Sequence, residues 1–354
     1  MKFAVKFGVM LAALCSGWVH AGTINLGQAA NYNVFVKGNF TAQTADTEGS
    51  AAIGGNLVIN GGYDFGYVNK GTSSTVTVAG NVIKSGSGYL NVYNGNGNSS
   101  LGNLTYGGAL SNTEGGIGAN RLQHSSSSVN FNTAFAQLEA LSASLAAQTQ
   151  ATTRSEQWGT LTFKPAATAA NDVYVFNLTQ ADLNNNHTLK IDNSSISKDA
   201  LIVLNISNPT GVASTKSYNQ AACASGAKDC VTLSELRVEI GNVETSRQLS
   251  NGRTYLDQNI LFNFNGVNDL RIESSIYGSV LAPKAAISAK GGVLWGQVMA
   301  NSWSGNQQIN WSPLDVPSTP PAVSAPPAWS LLLLPLLFIL RRRKPNQQLT
   351  PAYC

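Results

Sequence analysis

The triplet Gly-Asn-apolar recurs along this chain, at Gly38-Asn39-Phe40, Gly55-Asn56-Leu57, Gly80-Asn81-Val82, Gly102-Asn103-Leu104 and Gly241-Asn242-Val243. A related pair comes late, Tyr277-Gly278-Ser279-Val280 and Trp295-Gly296-Gln297-Val298. The early steps run from seventeen to twenty-five residues, and the late pair is eighteen apart. A period near twenty residues is the spacing of stacked coils, none of which can bury its apolar side alone. Gly and Asn tolerate the tight corners between strands. Asn at equivalent corners can also form hydrogen-bond ladders up the stack. Between the corners lie short segments rich in β-branched and aromatic residues: Leu57-Val-Ile59, Thr75-Val-Thr-Val78, Asp172-Val-Tyr-Val-Phe176, Leu201-Ile-Val-Leu204, Ile260-Leu-Phe-Asn-Phe264 and Leu270-Arg-Ile272. These read as strands, and runs that are apolar on both sides predict a covered sheet.

One segment breaks the pattern. Phe131, Phe135, Leu138, Leu141 and Leu145 recur at steps of three and four, with Ser and Gln opposite, which predicts a helix over 131–148. Asn130 or Asn132 suits its N-cap. The fold class expected is therefore mainly β, an irregular parallel β-solenoid (β-helix-like) with one long amphipathic helix packed alongside.

The two ends carry a different message. Lys2 and Lys6 precede an apolar run to Leu14, and Val19-His20-Ala21 offers small residues for a cut after Ala21. Residues 1–21 thus read as a secretory signal peptide. At the other end a Pro-rich spacer (315–327) leads to an apolar run that closes on Arg341-Arg342-Arg343-Lys344 (together 328–344), and 345–354 would be a cytoplasmic tail. The basic cluster acts as a membrane stop. The thirteen apolar residues are short for a bilayer span of about 20, which favours a transient anchor over a permanent one.

The net charge is +4, but six of the positive residues, Lys2, Lys6, Arg341, Arg342, Arg343 and Lys344, lie in these end segments. The body, 22–314, is close to neutral, so nothing argues for nucleic acid as partner. Charged residues make up only 11%, so amides and hydroxyls must supply the surface polarity, as in extracellular β proteins. Cys15 leaves with the signal and Cys354 lies beyond the basic cluster. Cys223 and Cys230 remain and should form a disulfide in an oxidising compartment. A metal site is the alternative, although two thiolates without a nearby His make a poor one.

Several separated motifs resemble the choice-of-anchor A domain, an adhesive domain of bacterial surface proteins. They are Tyr32-Asn-Val-Phe-Val-Lys-Gly-Asn-Phe40, Asp46-Thr-Glu-Gly49-Ser-Ala-Ala-Ile-Gly-Gly-Asn-Leu57, the helix opening Phe131-Asn-Thr-Ala-Phe135-Ala-Gln-Leu138, and Ile276-Tyr-Gly-Ser-Val-Leu-Ala-Pro283 through Gly296-Gln-Val-Met-Ala-Asn301 to Gln308-Ile-Asn310. The resemblance spans about Leu26 to Pro313. It implies anchoring and adhesion. The C-terminal segment resembles PEP-CTERM sorting tails, with Ala325-Pro326-Pro327-Ala328 where that family has Pro-Glu-Pro. The order of helix and coils is also similar to ice-binding β-solenoids.

No nucleophile elbow, phosphate loop or paired metal-ligand spacing occurs. His124 and His187 read as solvated loop residues. Asp46 and Glu48 read as part of a turn over the first coils, or as a carboxylate pair or a calcium contact; Asp182-Leu-Asn184-Asn-Asn186 lacks the closing residues of a calcium loop. The better binding candidates are aromatic. Tyr63, Phe65 and Tyr67 alternate, as do Tyr89, Asn91 and Tyr93, so each set should share a strand face. Tyr63, Tyr67, Tyr89 and Tyr93 are the candidate ligand-binding residues, unless their rings pack along the solenoid instead. Trp295, Trp303 and Trp311 belong to the core or cap of the last coils.

The function expected is a secreted, surface-anchored, non-enzymatic adhesin or extracellular-matrix component that binds polysaccharide or protein. No metal or cofactor is called for, and the only membrane partner is a sorting enzyme at the tail. One alternative is ice binding, which requires a flat face of regular Thr positions; the chain offers local runs such as Thr72-Ser-Ser-Thr-Val-Thr-Val78. The other is a carbohydrate-active β-helix enzyme, which requires a carboxylate cluster in a groove.

Overall fold

Each early Gly-Asn corner releases a strand of three or four residues, too short to stand alone but long enough for one side of a three-sided coil. The computed structural model describes residues 24–316, apart from 70, 72–74, 149, 167, 170–171, 198, 218–219 and 246–258. The signal segment with Ala21, most of the spacer, and the apolar run with Arg341, Arg342 and Arg343 lie outside the described residues, as do Thr72, Ser73 and Ser74.

The first coil comprises β1 (Val34–Val36), β2 (Phe40–Ala42) and β3 (Ala45–Thr47), and the second β4 (Ala51–Ile53), β5 (Leu57–Asn60) and β6 (Tyr63–Phe65). The third has β7 (Val76–Val78), β8 (Val82–Ser85) and β9 (Tyr89–Val92). The fourth has β10 (Asn103–Tyr106), β11 (Leu110–Asn112) and β12 (Gly116–Gly118), and β13 (Arg121–His124) begins a fifth. The coils stack parallel and in register, so that Val34, Ala51, Val76 and Leu104 form one inward column.

The chain then reverses through α1 (Phe131–Ala146) and builds a second arm from the opposite end. There β14 (Thr152–Gln157) and β15 (Thr160–Pro165) form a hairpin, followed by β16 (Val173–Thr179), α2 (Gln180–Asn185) and β17 (Thr188–Ile191). Next come β18 (Leu201–Ser207), β19 (Cys230–Leu233) and the hairpin β20 (Arg237–Ile240) with β21 (Val243–Glu244). The arm continues through β22 (Ile260–Asn263), β23 (Asp269–Ile272), β24 (Ile276–Tyr277), β25 (Ser279–Ala289) and β26 (Val293–Trp295). The last coil, β27 (Val298–Gly305) and β28 (Gln308–Asn310), docks on the first: Val34 pairs with Val298, Phe40 with Trp303 and Thr47 with Ile309. The expected β-solenoid is present, but it is discontinuous. Its middle is a seam between the first and last strands of the domain.

Three faces result. The first runs β13-β10-β7-β4-β1-β27-β25-β22-β18-β16, and α1 lies on part of it. Phe135, Leu138 and Leu145 bury against Phe35, Leu261, Leu281 and Val203, with the Phe35 ring 5.4 Å from that of Phe135. This explains the doubly apolar strands: in Leu201-Ile-Val-Leu204, Ile202 and Leu204 enter the solenoid core while Leu201 and Val203 meet the helix. An amide ladder, buried at Asn263 and Asn205 and exposed at Asn177, pins the helix. Asn263 Nδ2 donates to Asn205 Oδ1 (2.8 Å), and Asn205 Nδ2 donates to Asn177 Oδ1 (2.8 Å). The same two amides donate to the helix carbonyls of Ser142 and Leu145, and Ser142 Oγ donates to Asn263 Oδ1 at 2.6 Å.

The corner ladder expected from the repeats is present for three of the five triplets. Asn39, Asn56 and Asn81 each accept a backbone N–H from the next coil, from Asn56, Asn81 and Ala109 respectively. The other two are not equivalent. Gly102-Asn103 begins β10 on a different face, and Gly241-Asn242 is the turn of an antiparallel hairpin. Gly-Asn suits any tight turn, so the triplet marks corners without saying which. The late pair does stack: a Cβ on Gly296 would lie 2.3 Å from the Gly278 carbonyl oxygen, which only glycine avoids.

The ends of the stack differ. At the β16 end each face carries a partial cover. Gln150 Oε1 accepts from Val175 N on the first face, the Gln180 side chain of α2 bonds both N and O of Thr232 on the second, and polar β14 closes β15 on the third. At the other end β11, β12 and β13 pair on one side only. Cys223 and Cys230 form a disulfide that clasps the insertion between β18 and β19. Among the described residues no helix is long and apolar enough to cross a membrane.

Candidate functional site

The second face runs β11-β8-β5-β2, then the far halves of β27 and β25, then β23 and β19. Strict alternation decides what it shows. Val82, Leu57, Phe40, Trp303 and Ile287 point inward, so Ile83, Val58, Thr41, Ser304 and Ser288 form an outward row, continued by Ser111. Asn81, Asn56, Asn39, Ser302 and Ala286 make the neighbouring row. From β11 to β25 these rows carry methyls, hydroxyls and amides and no charge. Charge returns at β23, where Arg271 pairs with Asp269 (2.6 Å) and Gln220 of the clasped insertion reaches the Ser288 carbonyl.

The third face, β12-β9-β6-β3-β28-β26-β24, carries a polar line. Asn91 Nδ2 donates to Asp64 Oδ1 (2.9 Å), Asp64 pairs in register with Asp46, and Gln308 Nε2 donates to Asp46 Oδ2 (3.2 Å). Glu48 extends the line and accepts from Trp311 N. Asp46 is thus a strand residue rather than part of a turn. Partial burial, and then the neighbouring Glu48, push its carboxyl up to about 6 from an ordinary 3.8. The folded protein therefore holds this proton where the unfolded chain has released it. The resulting stabilisation is complete below about pH 4 and is lost as pH rises through about 6. We expect stability to fall between pH 4 and 7 by on the order of 1 kcal/mol after solvent screening of this half-exposed group, and Asp46→Asn to flatten that slope in thermal melts. A melting temperature that rises over this range would contradict the assignment.

The four candidate tyrosines divide. Tyr63 is buried at 1% exposure, with its hydroxyl 2.9 Å from Thr47 Oγ1, so it is a core residue and not a ligand residue. Phe65 is buried beside it, and the expected shared face with Tyr67 fails because Gly66, at φ +74°, turns the chain between them. Tyr67 and Tyr89 are exposed at 44% and 60%. Tyr93 is half-buried with its ring 6.0 Å from that of Tyr67 and nearly perpendicular to it. Tyr89 and Tyr93 do face outward, because Leu90 and Val92 between them are core. Tyr67 and Tyr93 therefore pair at one end of β9, and Tyr89 stands at its other end. Trp158 was not singled out in the sequence. It is 90% exposed at the β14–β15 turn, with φ 48°, a conformation bulky residues rarely adopt.

The remaining candidates are structural. His124 lies in β13 rather than a loop, with its ring 5.4 Å from that of Tyr106, and His187 is exposed. Asp182 closes the capping box of α2 and pairs with Arg154. Trp303 is fully inside, whereas Trp295 and Trp311 cover the last coils. Among the described residues no group of three or more His, Cys, Asp or Glu side chains is placed to hold a metal ion.

Residues 25–311 match the family model described as "Putative Ice-binding-like adhesive domain". The chain belongs to this ice-binding-like adhesive family. No curated protein sequence matches it. Similar solved structures include an ice-binding protein from an Antarctic biological consortium, at 15% identity and TM-score 0.35, covering 82% of this chain and 90% of that one. Another is the ice-binding protein of the Antarctic ascomycete Antarctomyces psychrotrophicus, at 10% identity and TM-score 0.33, covering 84% and 100%. A third is a glycosylated ice-binding protein from an Arctic yeast, at 15% identity and TM-score 0.31, covering 86% and 98%. In this member of the adhesive family the helix covers part of the first face.

Proposed function

We propose that this adhesive-family chain is a non-enzymatic attachment domain whose second face lies against an ordered, repeating surface, with ice the first candidate. The observation that carries this reading is the open stretch from β11 to β25: in-register strands, uncharged outward rows and no described element packed over it. Parallel strands repeat every 4.7–4.9 Å or so, and a rigid array of methyls and hydroxyls at that interval can order water as a lattice does. Ser, Val and Ile stand where a uniform Thr array would stand, so weak activity is expected. Thermal hysteresis and ice-crystal shaping of the whole chain test it. Val58→Tyr, which breaks the plane without touching the core, should reduce either signal at least tenfold. Unaltered crystal growth at every concentration would remove ice as the ligand.

A second reading has its own support. Tyr67, Tyr89 and Tyr93 beside the Asn91–Asp64 line form an aromatic and amide patch suited to polysaccharide, as an adhesin or matrix component would use. Glycan-array binding lost in the Tyr67, Tyr89 and Tyr93 to Ala variant, with Tyr63 left in place, would favour it over ice. In either reading residues 1–21 direct export. The tail from 315 onward then holds the domain at the bacterial surface in the manner of choice-of-anchor A proteins, by sorting or by membrane anchoring.

A further inference from the structure

The open end of the stack is unfinished. Leu122 and Leu110 stand in register above Leu104 and Val82, which are fully buried, yet Leu122 is 42% and Leu110 37% exposed. β11, β12 and β13 each offer an unpaired edge, the arrangement that templates strand addition and that solenoids normally cap. The opposite end of the same chain is better covered, since a Gln side chain, a helix and a polar strand lie over its edges.

We infer that two copies of this chain join end to end through β11, β12 and β13. The charges on this end select a second copy related by a two-fold axis. Glu114 sits at the corner between β11 and β12, and Arg121 opens β13 at the next corner. Neither makes an ion pair among the described residues. A two-fold axis through the β10–β11 corner and the middle of the third face exchanges these two corners. It sets Glu114 of each copy against Arg121 of the other. The same operation lays β12 antiparallel to its counterpart and β11 antiparallel to the partner's β13, so every open edge finds a strand and Leu110 and Leu122 are covered. The contact is isologous and closes at two copies, because the two-fold joins the same end of each chain. It also joins the two third faces, bringing their Tyr89 rings toward one another.

Sedimentation of the whole chain at concentrations well above micromolar tests this. A dimer is expected. Arg121→Glu and Glu114→Arg should each weaken it at least tenfold, and the E114R/R121E double variant should restore it. Hydrogen exchange over 110–124 in the unsubstituted chain should slow at high concentration and speed on dilution. A monomer throughout, or a dimer indifferent to both single reversals, overturns the proposal.

Discussion

Trp303→Ala is expected to destabilise the domain by about 3–5 kcal/mol, the range for removing a large aromatic from a packed core. Trp303 is 1% exposed, lies on the seam strand β27, and stacks on Phe40 at 6.3 Å with an interplanar angle of 8°. Its neighbours in register are Phe40 on one side and Ile287 on the other, so the cavity would open where the two arms of the solenoid meet. Little of it can collapse, because backbone ladders fix both walls. The indole Nε1 has no hydrogen-bond partner among the described residues. Trp303→Phe keeps the stacking and removes that unsatisfied donor, so it should cost much less than the Ala change. Urea unfolding of both variants checks this. Equal losses would mean that the indole edge, not the stacked ring, matters.

The second large effect concerns the helix. Asn263→Ala should cost about 2–4 kcal/mol, because it strands Asn205 Oδ1 and Ser142 Oγ in a buried site. Asn263 is fully buried and is the member of the amide ladder with most bonds to α1. Amide exchange in the second half of α1 should accelerate with it. At the exposed corner, Asn39→Ala removes one bond to Asn56 N and should cost about 1 kcal/mol or less. Comparable losses at the two sites would show that burial does not set the value of these ladders.

The contrast between the two ladders also shows what the sequence discloses. Corner amides follow Gly at a repeated spacing and can be recognised as candidates, although two of the five triplets lie elsewhere. Asn177, Asn205 and Asn263 sit inside strands, separated by insertions of unequal length, and only the stacking of β16, β18 and β22 reveals them as a column. The helix is legible from its apolar stripe, and the structure selects Asn130 over Asn132 as its N-cap. Period and turn residues disclosed the solenoid, but not the order of its coils, since a repeat unit has the same pattern whichever neighbour it meets. Burial of Tyr63 was hidden for a related reason. Alternation says that Tyr63 and Phe65 share a side, and only the packed core says that the side is inward. Lys84 is the opposite surprise: a charged residue at a core position, fully buried, whose Nζ donates to the carbonyls of Ser85, Gly86 and Glu114 at a corner.

The seam has a consequence for how this molecule comes into being. A continuous solenoid can grow coil upon coil as its chain emerges. Here β1, β2 and β3 wait for partners that lie some 260 residues later in the chain, as the pairing of Val34 with Val298 shows. Contact order is therefore high, and final closure is slow relative to local strand formation. Until the last coil arrives, each arm presents a naked edge at the place where the two must join. A chain truncated anywhere before Val298 would keep that edge permanently, and self-association rather than simple instability is the failure to expect from it.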